Sequence, residues 1–142
     1  MHMKEPQRTT QDILEIMLSK DNFSRWLGLE VDACRDGYCR LHYRIRDDML
    51  NGFGIVHGGI LFSAADSAFA FACNAQGHIT VALDVSISFA LPAASGDELW
   101  VEAQQIHAGN KISLYDIRTT NAGGQLMCVF KGTAYRTSRL IQ

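Results

Sequence analysis

The chain reads as an α+β domain in which a curved antiparallel sheet wraps around one long buried helix, in the order α-β-β-α-β-β-β-β. Three observations carry that prediction. Residues 58–75 form one stretch of helix length that is apolar nearly all the way round, as expected of a helix enclosed by protein. Four segments with period-two alternation follow it, separated by turn residues. Two more precede it as a hairpin centred on Asp36-Gly37, a strong turn signal. Strands running consecutively on either side of a helix, instead of alternating with helices, indicate α+β over α/β.

Each element follows from local residue chemistry. Thr9 or Thr10 is placed to cap an amphipathic helix over 11–19, whose stripe is Ile13, Leu14, Met17 and Leu18. A short helical turn over 22–27 is expected to put Phe23, Trp26 and Leu27 on the core. Strands are predicted at 28–35 and 38–46, then a loop over 47–56 loosened by Gly52 and Gly54. The apolar helix ends near Asn74 and Gly77. The later strands fall at 79–91, 97–108, 111–121 and 125–136; the last alternates through Leu126, Cys128, Phe130, Gly132 and Ala134.

Bulk composition narrows the function. With 142 residues, 47% of them hydrophobic and 20% charged, there is chain enough for one real core. There is no linker or repeat, so one domain is expected over 1–142: an N-terminal helical segment (1–27) and a sheet core (28–142). A formal net charge of −2 argues against nucleic acid as a partner, because no basic excess exists to displace counterions from phosphates. Residues 1–6 lack the apolar centre of a signal peptide, and the apolar helix is too short to span a bilayer, so no membrane partner and a cytoplasmic location are expected. Cys34, Cys39, Cys73 and Cys128 have no C-x-x-C spacing, and no His/Cys/Asp/Glu cluster has metal spacing. Neither metal nor cofactor is expected. Cys34 and Cys39 face each other across the hairpin and read as two half-buried strand thiols.

The chemistry concentrates around the buried helix. Asn51-Gly52-Phe53-Gly54-Ile55-Val56-His57-Gly58-Gly59 leads into Ile60-Leu61-Phe62-Ser63-Ala64-Ala65-Asp66. Glycines at a helix start leave backbone N–H groups approachable at the positive end of the helix dipole. Asp66 is a carboxylate among apolar residues, costly there unless paired, hydrogen-bonded or protonated. An amide cradle for a negative oxygen and an acid/base group together suffice to hydrolyse an activated acyl bond. Phe62, Met49, Leu50 and Phe53 flank the glycine turn as candidate acyl-pocket residues. His57 is read as holding the turn through its backbone neighbours, and Asn51 equally as a turn residue or a site residue. His42 and His107 read as ordinary strand residues.

The Asn-Gly, the His57-Gly58-Gly59 triplet, the Ala65-Asp66 step, the phrase Ala70-Phe71-Ala72-Cys73-Asn74 and the four strands beyond resemble the hotdog-fold acyl-CoA thioesterases. The likeness is nearest to the phenylacetic-acid-degradation (PaaI-type) branch and spans about Phe23 to Arg136. It implies a hydrolase of a CoA thioester, of the arylacetyl kind such as phenylacetyl-CoA or hydroxyphenylacetyl-CoA, working as a homodimer or a dimer of dimers (a homotetramer) with active sites at subunit interfaces. By matching position, Gly58 would supply the oxyanion-hole N–H, Asp66 the general base or nucleophile, and Asn51 would place thioester or water. His57, Gly59 and Phe62 would bind substrate.

Helix geometry independently favours a shared site. Gly59 and Asp66 stand about 10.5 Å apart along the axis at about 1.5 Å per residue, whereas attack needs reacting atoms about 3–3.5 Å apart. A second copy of the helix, admitted by Ser63, Ala64, Ser67 and Ala68, would close the gap. The CoA phosphates would need cations such as Lys111, Arg118, Lys131, Arg136 or Arg139. Two rivals are a hydratase or dehydratase of acyl thioesters, which would work through a His with an acidic partner, and a non-catalytic acyl-CoA-binding protein.

Overall fold

A computed structural model describes residues 8–142, and the first seven residues of the N-terminal segment lie outside it. Helix α1 (Thr10–Lys20) starts at Thr9, whose hydroxyl accepts from the Asp12 amide at 3.1 Å while the Asp12 carboxylate accepts from the Thr9 amide at 3.0 Å. That reciprocal cap satisfies two amides that the helix itself cannot. Ile13 and Leu14 are buried, and Met17 and Leu18 pack at the core margin.

Helix α2 (Asn22–Leu27) corrects one expectation. Leu27 enters the core, but Phe23 and Trp26 are 51% and 45% exposed and stack on each other at 5.9 Å. A six-residue helix presents one narrow inward face; Ser24 and Leu27 take it, leaving the adjacent pair outside. The Arg46 guanidinium lies 4.8 Å from the Trp26 ring. Gly28, at φ 74°, closes α2 in the left-handed region, so the first strand begins at residue 30 instead of 28.

The sheet is built from β1 (Glu30–Arg35), β2 (Tyr38–Arg44), β3 (His78–Phe89), β4 (Glu98–Ala108), β5 (Ile112–Asn121) and β6 (Leu126–Leu140), paired antiparallel in the order β1-β2-β4-β5-β6-β3. The β1–β2 turn is Asp36-Gly37, with Gly37 at φ 75°. Cys34 and Cys39 are direct cross-strand partners and remain thiols; Cys39 is fully buried, not half-buried. Strand β6 continues to Leu140, four residues beyond the predicted end, because its last turns pair with the start of β3.

Helix α3 (Gly58–Asn74) lies across the concave face. Its inward side carries Leu61, Ala64, Ala65, Ala68, Phe69 and Ala72. Phe69 is the centre of the core: its ring meets Tyr115 edge-on at 5.2 Å and Phe130 at 5.9 Å. Gly132 of β6 admits that ring, since a Cβ there would fall 2.8 Å from Phe69 Cζ. The helix is not enclosed all round as its composition predicts. Phe62, Ser63, Asp66, Ser67, Ala70 and Cys73 form a half-buried stripe that the six strands of this chain leave uncovered.

Strand β3 departs from expectation in the same region. Residues 81–84 are exposed on both faces, with Val81 at 45% and Leu83 at 58%, because β3 is an edge with β6 on one side only. Helix α3 runs antiparallel beside it, fixed at both ends. The Phe89 ring packs on Gly58, and Asn74 donates from Nδ2 to the Thr80 carbonyl at 3.1 Å while accepting from the Thr80 amide at 2.8 Å. We expect Gly132→Ala to destabilise the fold by about 1–3 kcal/mol through overpacking, read as a lower midpoint in urea; Phe69→Leu in the same background should recover part of the loss.

Candidate active site

The start of α3 is positioned by a tight loop. Leu50 and Val56 form an isolated antiparallel bridge, and the Asn51 amide donates to the Ile55 carbonyl at 2.8 Å. Within this loop Asn51 Oδ1 accepts from the Phe53 amide at 2.9 Å and from Ile55 at 3.4 Å, so its carbonyl oxygen serves the turn. No acceptor among the described residues takes its Nδ2, which stays available as a donor. The His57 amide donates to the Met49 carbonyl at 2.9 Å, anchoring the residue that caps the helix.

His57 Nδ1 accepts the Gly59 amide at 2.9 Å. An N-cap side chain ordinarily satisfies an orphan amide of the first turn in this way. One consequence separates the two glycines: Gly59 is engaged, whereas the Gly58 N–H has no acceptor among the described residues. Gly58 is not in the left-handed region, so backbone angle does not demand glycine there. Packing is close instead: a Cβ at Gly58 would meet Phe89 Cζ at 3.2 Å, so the ring would have to shift by a few tenths of an ångström to admit one.

Two hollows flank this helix start. One, of about 300 Å³, is lined by Asn51, Ile55, Val56, Gly58, Leu61 and Phe89 with Leu91 and Pro92 beyond. The other, of about 350 Å³, lies on the opposite side between Phe23, Met49, Leu50, His57, Gly59 and Ser63. Asn51 and Gly58 are therefore brought together, and His57 and Gly59 face away from them. Phe53 is 91% exposed and lines neither hollow. Phe62 also lines neither; its ring leans on Phe130 at 5.3 Å, one helical turn from Asp66 on the uncovered stripe.

Asp66 sits midway along α3, about 12 Å beyond Gly58 along the axis at about 1.5 Å per residue. No side chain among the described residues pairs with its carboxylate. Burial, and behind it the negative charge of Asp21, hold the group above the ordinary carboxylate range. Asp21 is itself occupied, accepting from the Ser24 amide at 2.9 Å, and Ser24 Oγ meets Ser67 Oγ at 2.8 Å. This link ties the half-buried stripe to α2. Phe89 and Asp21 do not stand out in the sequence: Phe89 lies in an ordinary alternating strand, and Asp21 is one acidic residue between two helical segments. The aromatic residue that closes the strand facing a glycine helix start was the available signal.

Of the basic residues considered for phosphate binding, Arg118 pairs with Asp116 at 3.5 Å and Arg136 donates to the Asn110 carbonyl at 2.6 Å. Lys111, Lys131 and Arg139 are exposed. His42 is more than an ordinary strand residue, since its two ring nitrogens bridge Asp32 at 2.9 Å and Glu30 at 2.8 Å on the outer face of the sheet.

Residues 53–128 match the family model described as Thioesterase superfamily, which covers the glycine turn, α3 and most of the sheet. The chain belongs to the thioesterase superfamily. The acyl-coenzyme A thioesterase PaaI of Escherichia coli K12 is 37% identical over 120 residues, covering 84% of this chain and 86% of that one. A putative esterase of Archaeoglobus fulgidus is 32% identical over 126 residues, 89% of this chain and 82% of its own. The solved E. coli PaaI, from the phenylacetic acid degradation operon, superposes with a TM-score of 0.90 at 34% identity, over 94% of this chain and 96% of that one. A hypothetical thioesterase of Streptococcus pneumoniae solved with coenzyme A has a TM-score of 0.75 at 26% identity, covering 79% and 90%. The hotdog fold and the thioester-hydrolase class follow.

The raised Asp66 carboxyl also makes a stability prediction. A carboxyl whose folded pKa exceeds its unfolded value favours folding below the unfolded pKa, an advantage lost as pH rises through the folded one. At neutral pH the charged, unpaired Asp66 thus weighs against the fold. Asp66→Asn should unfold at a higher temperature than the parent at pH 7, and the difference should shrink towards pH 4 in thermal scans by circular dichroism.

Proposed function

We propose that this chain hydrolyses acyl-CoA thioesters, with arylacetyl groups as the preferred acyl class, in a site completed by a second copy. The observation that carries the reading is an unengaged amide at Gly58, a residue lining a hollow, with an unpaired, half-buried carboxylate eight residues along the same helix. A thioester carbonyl accepting from Gly58 has its negative charge stabilised as the tetrahedral intermediate forms. Asn51 Nδ2 opens on the same hollow and would orient the thioester or the water. His57 acts by position, holding Gly59 and so leaving Gly58 free. The name of the E. coli relative and the coenzyme A in the pneumococcal structure support the CoA thioester, and that relative's operon supports a phenylacetyl-type acyl group.

The distance from Gly58 to Asp66 excludes a site within one α3. In a two-fold dimer formed through the exposed β3 edge, the two β3 strands would pair antiparallel. Because α3 runs antiparallel to β3 in each copy, the two α3 helices would then also run antiparallel. Asp66 of one copy comes level with Gly58 of the other when the axis passes at the residue midway between them, Phe62. That places Phe62 of both copies at the two-fold axis, between the two equivalent Gly58–Asp66 sites, where its ring would border the bound substrate of each. Covering Val81, Leu83 and the open stripe of α3 would also remove an unprotected sheet edge. A dimer of such dimers gives the homotetramer.

At Asp66 two routes are chemically balanced. As general base, the carboxylate takes a proton from water; hydroxide oxygen bonds the carbonyl carbon, the C–S bond breaks, and CoA leaves as thiolate. As nucleophile, the carboxylate bonds that carbon, expels thiolate, and water then cleaves the mixed anhydride. Turnover in ¹⁸O water followed by mass analysis of the Asp66 peptide separates them.

We expect thiol release from phenylacetyl-CoA and hydroxyphenylacetyl-CoA to exceed that from short straight-chain substrates. Asp66→Asn should lower kcat by about 10²–10⁴. The unprotonated carboxylate is the active form, so kcat/KM should fall as pH drops, with a midpoint above the ordinary value of about 3.9. Near-native turnover by Asp66→Asn would remove this residue from the mechanism, and full activity in a species that sediments as monomer would remove the second copy.

A further inference from the structure

We infer that Phe89 selects the acyl group by forming the aromatic wall of the hollow that Gly58 also lines. This rests on the reading of Gly58 as the oxyanion donor and adds a residue that the comparisons leave unassigned. Phe89 is the last residue of β3 and continues the row of Val85 and Ile87, both packed against the core beneath α3. The helix begins at Gly58, so nothing beyond that residue covers the ring, and Phe89 is left 53% exposed.

The ring is nonetheless held. Its outer edge faces Gly58: Cζ, Cε1 and Cε2 would lie 3.2, 3.5 and 3.7 Å from a Cβ built there. A methyl would crowd this contact and push the ring aside by a few tenths of an ångström, at a position whose φ is ordinary. The rest of the ring opens on the hollow shared with Asn51, Ile55, Leu61 and Leu91. A thioester carbonyl bound at the Gly58 amide therefore carries its acyl substituent across the face or edge of Phe89. Flat aryl groups gain offset or edge-on contact with such a ring beyond the apolar area they bury, whereas an alkyl chain gains only the area term. The geometric part of such an aromatic contact corresponds to about 2–10-fold discrimination.

The test compares kcat/KM for phenylacetyl-, benzoyl-, hexanoyl- and decanoyl-CoA in the full-length parent, Phe89→Leu and Phe89→Ala. Sedimentation of each protein and inhibition by free CoA are measured alongside. Phe89→Ala should lower the phenylacetyl-to-decanoyl ratio severalfold, up to about tenfold, Phe89→Leu by less, with assembly and CoA inhibition unchanged. Gly58→Ala should alter the ratio in the same direction by displacing the ring, and should add little to Phe89→Ala because the clash is already gone. Equal changes for all four substrates, or changes traced to dissociation of the assembly, would overturn the assignment while leaving the hydrolase reading intact. A parent protein that releases no thiol from any of the four would overturn both.

Discussion

The hydrogen bond from the Gly59 amide to His57 Nδ1 determines which backbone group at the start of α3 has no partner, and the proposed chemistry turns on that choice. A helix start exposes several amides that cannot bond within the helix. Left to solvent, they would be interchangeable. With His57 capping Gly59, and the His57 amide itself tied to the Met49 carbonyl, an unengaged donor remains at Gly58, a residue that lines a defined hollow. The rigidity of that donor comes from the Leu50–Val56 bridge and the Asn51 turn, both made within a few residues of it. An oxyanion donor fixed before the substrate arrives needs no reorganisation during the reaction, which is where most of its value lies.

Asp66, the second half of the proposed site, is held at the expense of the fold. Asp66 is surrounded by small and apolar residues, carries no cation, and has Asp21 nearby to disfavour its charge. A structural role would have supplied a partner. Among the described residues none is present, and the carboxylate instead lies on a stripe of α3 that its own strands leave open. The same elements leave β3 with an unpaired edge and exposed Val81 and Leu83. An unpaired carboxylate, an uncovered helix stripe and an open sheet edge occur together along one side of the molecule, which is the side a second copy would cover.

Phe89 and Gly132 show how closely the strands govern the helix. Each pairs an aromatic ring with a glycine across the α3–sheet interface: Phe69 into Gly132 at the centre, and Phe89 onto Gly58 at the rim. The first contact sets how near α3 lies to the sheet. The second sets what stands beside the free amide. Both glycines have ordinary backbone angles, so neither could be explained by a turn.

Much of this was legible in the chain before folding. Period-two alternation and the Asp36-Gly37 and Thr9 signals located the strands and the first helix, since they depend on neighbours in sequence. The glycine turn and the lone Asp66 were visible because a charge in an apolar helix violates the local pattern. What needed the assembled fold was everything set by neighbours distant in sequence. Whether Trp26 faces in or out depends on Leu27 and Ser24 filling the inward face of α2. That β3 is an edge depends on strand order, which alternation does not encode. Which of two adjacent glycines keeps a free amide depends on one ring nitrogen reaching back 2.9 Å. Periodicity is a property of the chain, whereas pairing and enclosure belong to the packed molecule.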